Sequence, residues 1–488
     1  MFAPSAEPDR APRTGSAHRM DCRRSHMIDT SLLDLAVIGS GGAAMAAAIT
    51  ARKAGKSVVL VEQGMLGGTC VNVGCVPSKT LLAAAGARHG ALVNPFPGTP
   101  TSAGEVDFAA LVGQKDELVG RLRQAKYADV ADAYGFEVRP GRARFLDADT
   151  LAVDGTPLSA RAYLVATGAE PAPPDLPGLD EVDWLTSTTA MEQTGLPESL
   201  VVIGGGYVGM EQAQLFAHLG ARVTLIGRLA PAAEPEVADA LRGVFADDGI
   251  TVIEDRAVAV ETMNGQVDVL TRGGRRARGA RLLVATGRAP RTAALDLDAG
   301  GVKTDDRGFV VVDAQQATSN PRIYAAGDVS GAPQYVYVAA ATGRVAALNA
   351  TGAAGSRPAT VDFTGMPGVV FTRPQLGSVG LTEAQALVAG HRCECRVLGL
   401  ADVPRALANR DTRGVVKLVA DADTGRLLGV HAAADSAGEF MLAATYAIKA
   451  RMTVDEIANT WAPYLTMAES LRIAAGLFRN EMPTSCCA

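Results

Sequence analysis

Residues 34–62 read DLAVIGSGGAAMAAAITARKAGKSVVLVE, and this stretch decides the fold. DLAVIG, 34–39, is an unbroken apolar run of strand length. A glycine-rich turn follows, and the alanines predict a helix over 43–54. Lys56–Val61 predicts a second strand, ending on Glu62. Strand, turn, helix and strand in this order make a parallel βαβ unit, and Gly39-x-Gly41-x-x-Ala44 carries dinucleotide-fingerprint spacing. Gly39 permits the tight turn, Gly41 lets backbone approach a pyrophosphate, and Ala44 is small enough for close helix–strand packing. The anion then sits at a helix N-terminus. Glu62, 23 residues after Gly39, is placed to accept hydrogen bonds from ribose hydroxyls.

The unit recurs 165 residues later. Ser199–Ile203 predicts a strand, Gly204-x-Gly206-x-x-Gly209 the turn, Tyr207–Leu219 a helix and Arg222–Ile226 the next strand. One GxGxxG is weak evidence; two copies in the same setting are strong. The copies differ where the ribose is read. The position matching Glu62 is Gly227, followed by Arg228. A carboxylate suits free hydroxyls, whereas a cation suits a 2′-phosphate. A hydrogen bond to a charged group contributes roughly 1.5–3 kcal/mol, so the preference is about ten- to a hundredfold. FAD is therefore expected at the first site and NADPH at the second. Arg222 is either an assistant to Arg228 or an ordinary surface residue.

LVATG occurs twice, ending in Thr167-Gly168 and in Thr286-Gly287, each a buried strand running into a turn that lets the chain cross between nucleotide domains. PRIYAAGDV, 321–329, predicts another strand ending in Gly327-Asp328, where the aspartate would hold a ribityl hydroxyl. After about residue 358 the pattern changes to antiparallel strands (Val415–Val419, Leu427–Ala432) and helices near 436–450, 453–459 and 466–478. The expected fold is α/β: two Rossmann-like dinucleotide-binding domains, the second inserted in the first, plus a C-terminal α+β domain. The expected parts are a disordered tail (1–30), an FAD domain (31–175 and 291–357), an NADPH domain (176–290), a dimerisation domain (358–480) and a mobile tail (481–488).

The bulk numbers narrow the function. A net charge of −6 argues against nucleic acid or an anionic membrane as the main partner. Seven cysteines are an odd count in a long chain, so a secreted disulfide framework is not expected. A reducing, cytoplasmic setting is expected instead. Residues 1–30 lack the apolar core of a secretory signal, and the apolar run Leu35–Ile49 is too short to cross a bilayer. Cys22 reads as incidental.

The other cysteines pair. Cys70 and Cys75 lie in GGTCVNVGCVPSKT, ahead of an Ala/Leu helix. A helix N-terminus favours thiolate. The spacing puts the sulfurs about one helical turn apart, close enough for a disulfide if the turn is distorted. Lys79 supplies a cation within one turn of Cys75. Half a zinc site is the alternative, but no second CxxC or histidine pair completes it. Cys486 and Cys487 end the chain save one residue, and Cys393-x-Cys395 is a third pair, expected on a strand with both residues on one side.

Taken together, GGTCVNVGCVPSKT, two fingerprints, two ATG turns and AAGDV resemble the dimeric pyridine nucleotide–disulfide oxidoreductases, over residues 31 to 488. The resemblance implies that Cys70 performs thiol exchange and that Cys75 is the thiolate against the flavin. It implies that Lys79 pairs with a helix glutamate, matched by Glu211, and that Gly68 and Thr69 join the FAD site. Disulfide-reducing members carry a His–Glu pair near the C-terminus, supplied by the partner subunit. Here the matching segment is Ala462-Pro-Tyr464-Leu-Thr-Met-Ala-Glu469: the glutamate stands, and Tyr464 replaces the histidine. A phenol with a pKa near 10 is a poor general base at neutral pH.

Tyr464 in WAPYLTMAE, VPRALAN at 403–409 and the Ser485-Cys486-Cys487 ending resemble the mercuric reductases. That resemblance implies that thiol-bound Hg(II) is captured by Cys486 and Cys487 of one subunit and passed to Cys70 and Cys75 of the other. NADPH and FAD would supply two electrons. Tyr207 and Tyr464 would flank the inner site, with Tyr207 alternatively a gate for nicotinamide. Residues 1–30 carry no GMTCxxC motif, so capture is expected to rest on the C-terminal dithiol. A homodimer with sites across its interface is implied, with neither nucleic acid nor membrane as partner. The rival readings are a thioredoxin-reductase-like enzyme and a non-catalytic thiol-based metal sequestrant.

Overall fold

The computed structural model describes residues 32–480. The opening stretch folds as Leu33–Ile38, Gly42–Lys53 and Val58–Glu62. Its strands pair in parallel, from Leu35 opposite Val58 to Ile38 opposite Val61. Leu35, Ala36 and Val37 are fully buried, as in a strand covered on both faces. The first sheet runs Ile323–Ala325, Ala160–Val165, Leu33–Ile38, Val58–Glu62, Glu137–Pro140. The second runs Thr251–Ile253, Arg222–Ile226, Ser199–Ile203, Arg281–Val284, Trp184–Leu185. In sequence the second sheet falls between Ala160–Val165 and Ile323–Ala325 of the first, so one nucleotide-binding unit is inserted in the other.

The two ATG turns are stitched together where the chain crosses. Ala169–Pro171 pairs antiparallel with Arg288–Pro290. Thr167 Oγ1 donates to the Arg291 carbonyl at 2.7 Å, and Ala172 N–H donates to the Gly287 carbonyl at 3.0 Å. The third sheet is antiparallel: Pro367–Val370, Gln375–Gly380, Leu427–Ala434, Val415–Asp421, Cys393–Gly399. The helix Ala437–Lys449 buries Phe440, Met441 and Ala444 in the core over it.

Two local expectations change. Cys70 and Cys75 do not share one distorted helix. Cys70 lies in Gly68–Asn72, and Cys75 opens Cys75–Leu92. The break falls at Gly74, where a Cβ would stand 2.9 Å from the Thr69 carbonyl oxygen. The last predicted helix is also shorter, Glu469–Gly476, with a tight turn over Leu477–Arg479.

Cys75–Leu92, called here the dithiol helix, runs beside Tyr207–Leu219 and is tied to it at two levels. Near its start, Lys79 Nζ meets Glu211 Oε2 at 2.7 Å. Near its end, His89 and His218 stack with ring centroids 3.7 Å apart. Both Nε2 atoms face Asp248, at 3.4 Å and 2.9 Å, and Gln214 donates to the same carboxylate at 2.8 Å. The ring planes are within 10° of parallel, so the two Nε2 lone pairs do not converge on one point. The group reads as a hydrogen-bonded clamp. Burial alone would raise the Asp248 pKa, but bonds from His218 and Gln214 outweigh it and hold the carboxyl below its ordinary value. Asp248→Asn is expected to lower unfolding free energy by about 1–3 kcal/mol at neutral pH, read by urea denaturation. A depressed folded pKa contributes stability above the ordinary carboxylate range. That stability is lost as pH falls, so the gap between wild type and variant should close below about pH 4.

Candidate active site

The first glycine turn is a cradle that a side chain would fill. Gly39 has φ +108°, and a Cβ there would lie 2.5 Å from the Ala166 carbonyl oxygen. Gly204 repeats this against the Ala285 carbonyl oxygen at 2.3 Å. Around the first turn, Ser40 Oγ donates to Glu62 Oε2 at 2.6 Å and accepts from Gly67 N–H at 2.9 Å. That bond draws the Gly67-Gly68 loop against Gly41, so that a Cβ on Gly68 would stand 2.6 Å from the Gly41 Cα. Glu62 therefore borders the turn, and its Oε1 accepts from Gly64 N–H at 2.7 Å. Gly327 and Asp328 follow the strand Ile323–Ala325. The Asp328 carboxyl is pushed up by burial and eased by Arg288, whose Nη2 is 3.9 Å away. A poorly solvated carboxylate with a distant cation fits a ligand's hydroxyl groups. The donor set and the two cradles fit a pair of dinucleotides.

At the second turn, Gly204 and Gly206 precede Tyr207, and Gly209 presses on Gly204: a Cβ on Gly209 would lie 1.8 Å from the Gly204 carbonyl oxygen. Arg228 is exposed just past the strand Arg222–Ile226, on the turn side. Arg222 stands at the opposite end of that strand and pairs with Glu198 at 2.7 Å. Four residues of strand separate it from the turn, or about 13 Å, so it is the surface residue of the two readings.

Cys70 is half-buried and Cys75 is solvent-accessible in the single chain; both are free thiols. Their protons are unequal. Each sulfur acts on the other's proton, which raises Cys70 and lowers Cys75. Burial opposes the Cys75 shift and Lys79 favours it, and the net value for Cys75 is about 7. Cys75 therefore carries much of the negative charge near neutral pH, at a helix N-terminus that favours it. Glu211 holds Lys79 in place and is itself held, since its Oε1 accepts from Phe371 N–H at 2.9 Å. The Lys79 ammonium also lies 4.8 Å from the Phe371 ring centroid.

Tyr207 opens its helix beside two tyrosines that the sequence reading passed over. Tyr335 and Tyr337 stack at 5.2 Å. The Tyr337 hydroxyl donates to the Pro367 carbonyl. Burial raises the Tyr335 pKa first, with Tyr207 adding to it, so the three phenols share one neighbourhood. Tyr127 is another omission: burial, then the charge of the cysteine pair, pushes its hydroxyl up to about 12. Tyr335-x-Tyr337, so soon after Asp328, was a usable signal. Tyr127 and Phe371 offered none, because they reach the site only through tertiary packing.

Other expected site residues stand apart. Met467 and Ala468, beside Tyr464 and Glu469, pack in the core of the third sheet, whereas Leu81 and Ala85 of the dithiol helix pack in the core of the second. Glu469 is buried; Arg472 meets its Oε1 at 3.1 Å and Leu465 N–H donates to its Oε2 at 3.3 Å. Tyr464 is half exposed. Cys486 and Cys487, like Cys22, lie outside the described residues.

The pyridine nucleotide-disulphide oxidoreductase family model matches residues 33–343, and its dimerisation-domain model matches 366–475. A mercuric reductase of Streptomyces lividans is 52% identical over 468 residues, covering 93% of this chain and 98% of that protein. One from Lysinibacillus sphaericus is 45% identical, covering 95% and 86%, and one from Shigella flexneri is 46% identical, covering 93% and 83%. Among solved structures, the HOCl-induced flavoprotein disulfide reductase RclA from Escherichia coli superposes with a TM-score of 0.81 at 30% identity, covering 91% of this chain and 99% of that one. Two nucleotide cradles, a cysteine pair at the start of a clamped helix and these matches lead to one assignment: the chain belongs to the pyridine nucleotide-disulphide oxidoreductases and, within them, to the mercuric reductases.

Proposed function

We propose that this flavoenzyme uses NADPH to reduce Hg(II) to Hg(0) and works as a homodimer, with its inner dithiol receiving the metal from the C-terminal dithiol of the partner. The observation that carries the reading is the Cys70–Cys75 pair, in which each sulfur shifts the other so that Cys75 is the thiolate, beside the Lys79–Glu211 ion pair. Soft sulfur ligands suit a soft cation.

Gly39, Gly41, Ala44, Glu62, Gly68, Thr69, Lys79, Thr167, Gly168, Gly327 and Asp328 would hold FAD. Gly204, Gly206, Gly209, Arg228 and Gly287 would hold NADPH. When bound, the two cofactors supply the two electrons that convert Hg(II) to Hg(0). The chain's own residues handle the metal. Cys486 and Cys487 displace two small thiols, so two Hg–S bonds break and two form. Cys70 performs the exchange once its proton has passed to a departing thiol, and Cys75, already a thiolate, becomes the second ligand. Lys79 balances negative charge through this exchange, and Glu211 keeps it in position. Hg(0) carries no charge and is released. Tyr207 and the partner's segment around Tyr464 and Glu469 would close the site without acid–base chemistry.

Among the described residues no helix is long and apolar enough to cross a membrane. A reducing, cytoplasmic location fits a chain with an odd count of seven cysteines and an inner dithiol that must be reduced to receive metal. Arg228→Glu is expected to shift the NADPH-to-NADH ratio of kcat/KM about ten- to a hundredfold toward NADH. Steady-state kinetics with both nucleotides test this. An unchanged ratio would remove Arg228 from the site.

A further inference from the structure

The third cysteine pair is not used by this reading, and its surroundings are unusual. Cys393 and Cys395 lie on Cys393–Gly399, the edge strand of the third sheet. Alternation along a strand puts residues i and i+2 on one face. The intervening residues face the other way. Arg396 Nε donates to the Leu477 carbonyl at 3.1 Å and its guanidinium lies 5.1 Å from the Phe478 ring. On the cysteine side Val397 is 41% exposed, so solvent and small solutes reach this face.

We propose that Cys393 and Cys395 form a second thiophilic cation site, a two-coordinate dithiolate that binds Hg(II) away from the redox-active pair. Strand rise places their Cβ atoms about 6.7 Å apart, whereas a disulfide needs about 3.5–4.5 Å. The pair therefore resists internal oxidation. A metal between two thiolates spans about twice a 2.3 Å bond, or roughly 4.6 Å between sulfurs. Each sulfur has only to lean inward by about 1 Å.

The charge around the pair favours a cation. The Glu383 carboxylate stands close enough to Cys395 to raise its thiol pKa, and the Cys393 S–H donates to the His391 carbonyl at 3.8 Å. Glu383 also meets Lys417 Nζ at 2.8 Å, and Lys417, itself buried, meets Glu234 and Glu236 at 3.0 Å each. One ammonium thus stands among three carboxylates. Asp421 approaches from the neighbouring strand and takes His391 Nδ1 at 2.8 Å. Burial first, then Glu383, pushes Cys395 up to about 12. Burial, then Glu383 and Asp421, raises Cys393. Both are protonated thiols until a metal displaces the protons.

The exchange balances without a redox change. Two bonds from Hg(II) to small thiolates break and two bonds to Cys393 and Cys395 sulfur form. The two protein protons leave with the small thiols. This inference rests on the strand geometry and the acid cluster, not on the reductase reading, so it can fail alone.

The test uses the full chain with Cys22, Cys70, Cys75, Cys486 and Cys487 all changed to Ser, leaving only the strand pair. It is given Hg(II) as its bis-glutathione complex and desalted. The expected result is about one Hg(II) retained per chain, with both thiols lost to titration. Adding Cys395→Ser should lower retention at least about tenfold. A five-serine chain that retains no mercury, or keeps two titratable thiols, overturns the site. Should that variant fold poorly, Cys393→Ser/Cys395→Ser in the otherwise native enzyme provides the second reading. Mercury retained should fall by about one equivalent while NADPH-dependent turnover is unchanged; unaltered retention overturns the proposal.

Discussion

Cys75→Ala should lower Hg(II) turnover by at least about a thousandfold while leaving nicotinamide binding intact. It should also remove the long-wavelength absorbance that a thiolate beside oxidised FAD produces. The reason lies in how the two sulfurs divide one negative charge. Cys75 is held near a pKa of about 7 by Cys70, helped by Lys79 and opposed by burial. Without Cys75 that division is lost, and Cys70 alone cannot offer a linear pair of ligands. In the wild-type enzyme the same absorbance should fade as the pH drops through about 7, because protonation removes the donor. Spectrophotometric titration from pH 5 to 9 of both proteins checks this. A band that survives in the variant would move the role to another sulfur.

Cys486→Ala/Cys487→Ala should cost nearly as much, but only for tightly liganded metal. A dithiol tethered to the partner presents Hg(II) to the inner pair at an effective concentration in the millimolar range. At micromolar substrate, turnover of bis-thiol Hg(II) should therefore drop about a hundred- to a thousandfold. Reduction of bound FAD by NADPH should be unaffected, which stopped-flow absorbance resolves from turnover. Equal loss in both steps would point to a damaged fold, and no loss would remove the tail from the pathway.

The strands, helices and turns of both nucleotide cradles were legible because periodicity and glycine spacing are local. Ser199–Ile203, Tyr207–Leu219 and Arg222–Ile226 fall where the pattern put them. The helix break at Gly74 was not legible: the backbone there passes so close to the Thr69 carbonyl that a side chain would not fit, and propensity does not mark such an approach. Lys79 and Glu211 are 132 positions apart, and only the family resemblance joined them. Phe371 and Tyr127 were missed for the same reason: nothing local marks a residue that reaches a site through packing. His89, His218 and Asp248 came from three separate segments. Arg228 was marked by its place after the Glu62-equivalent position, whereas the two readings of Arg222 separate only when the strand's direction is taken into account. For the dimerisation segment, sequence placed Tyr464 where a histidine would serve a disulfide reductase; its position in one chain leaves its service to the partner as part of the proposal.

The most direct test is anaerobic NADPH oxidation by the full-length enzyme, run with bis-thiol Hg(II) and separately with glutathione disulfide, while volatile mercury is collected. The account predicts about one NADPH consumed for each Hg(0) released, two electrons each, and negligible oxidation with the disulfide. Rapid NADPH oxidation with glutathione disulfide and no mercury vapour from Hg(II) would contradict it.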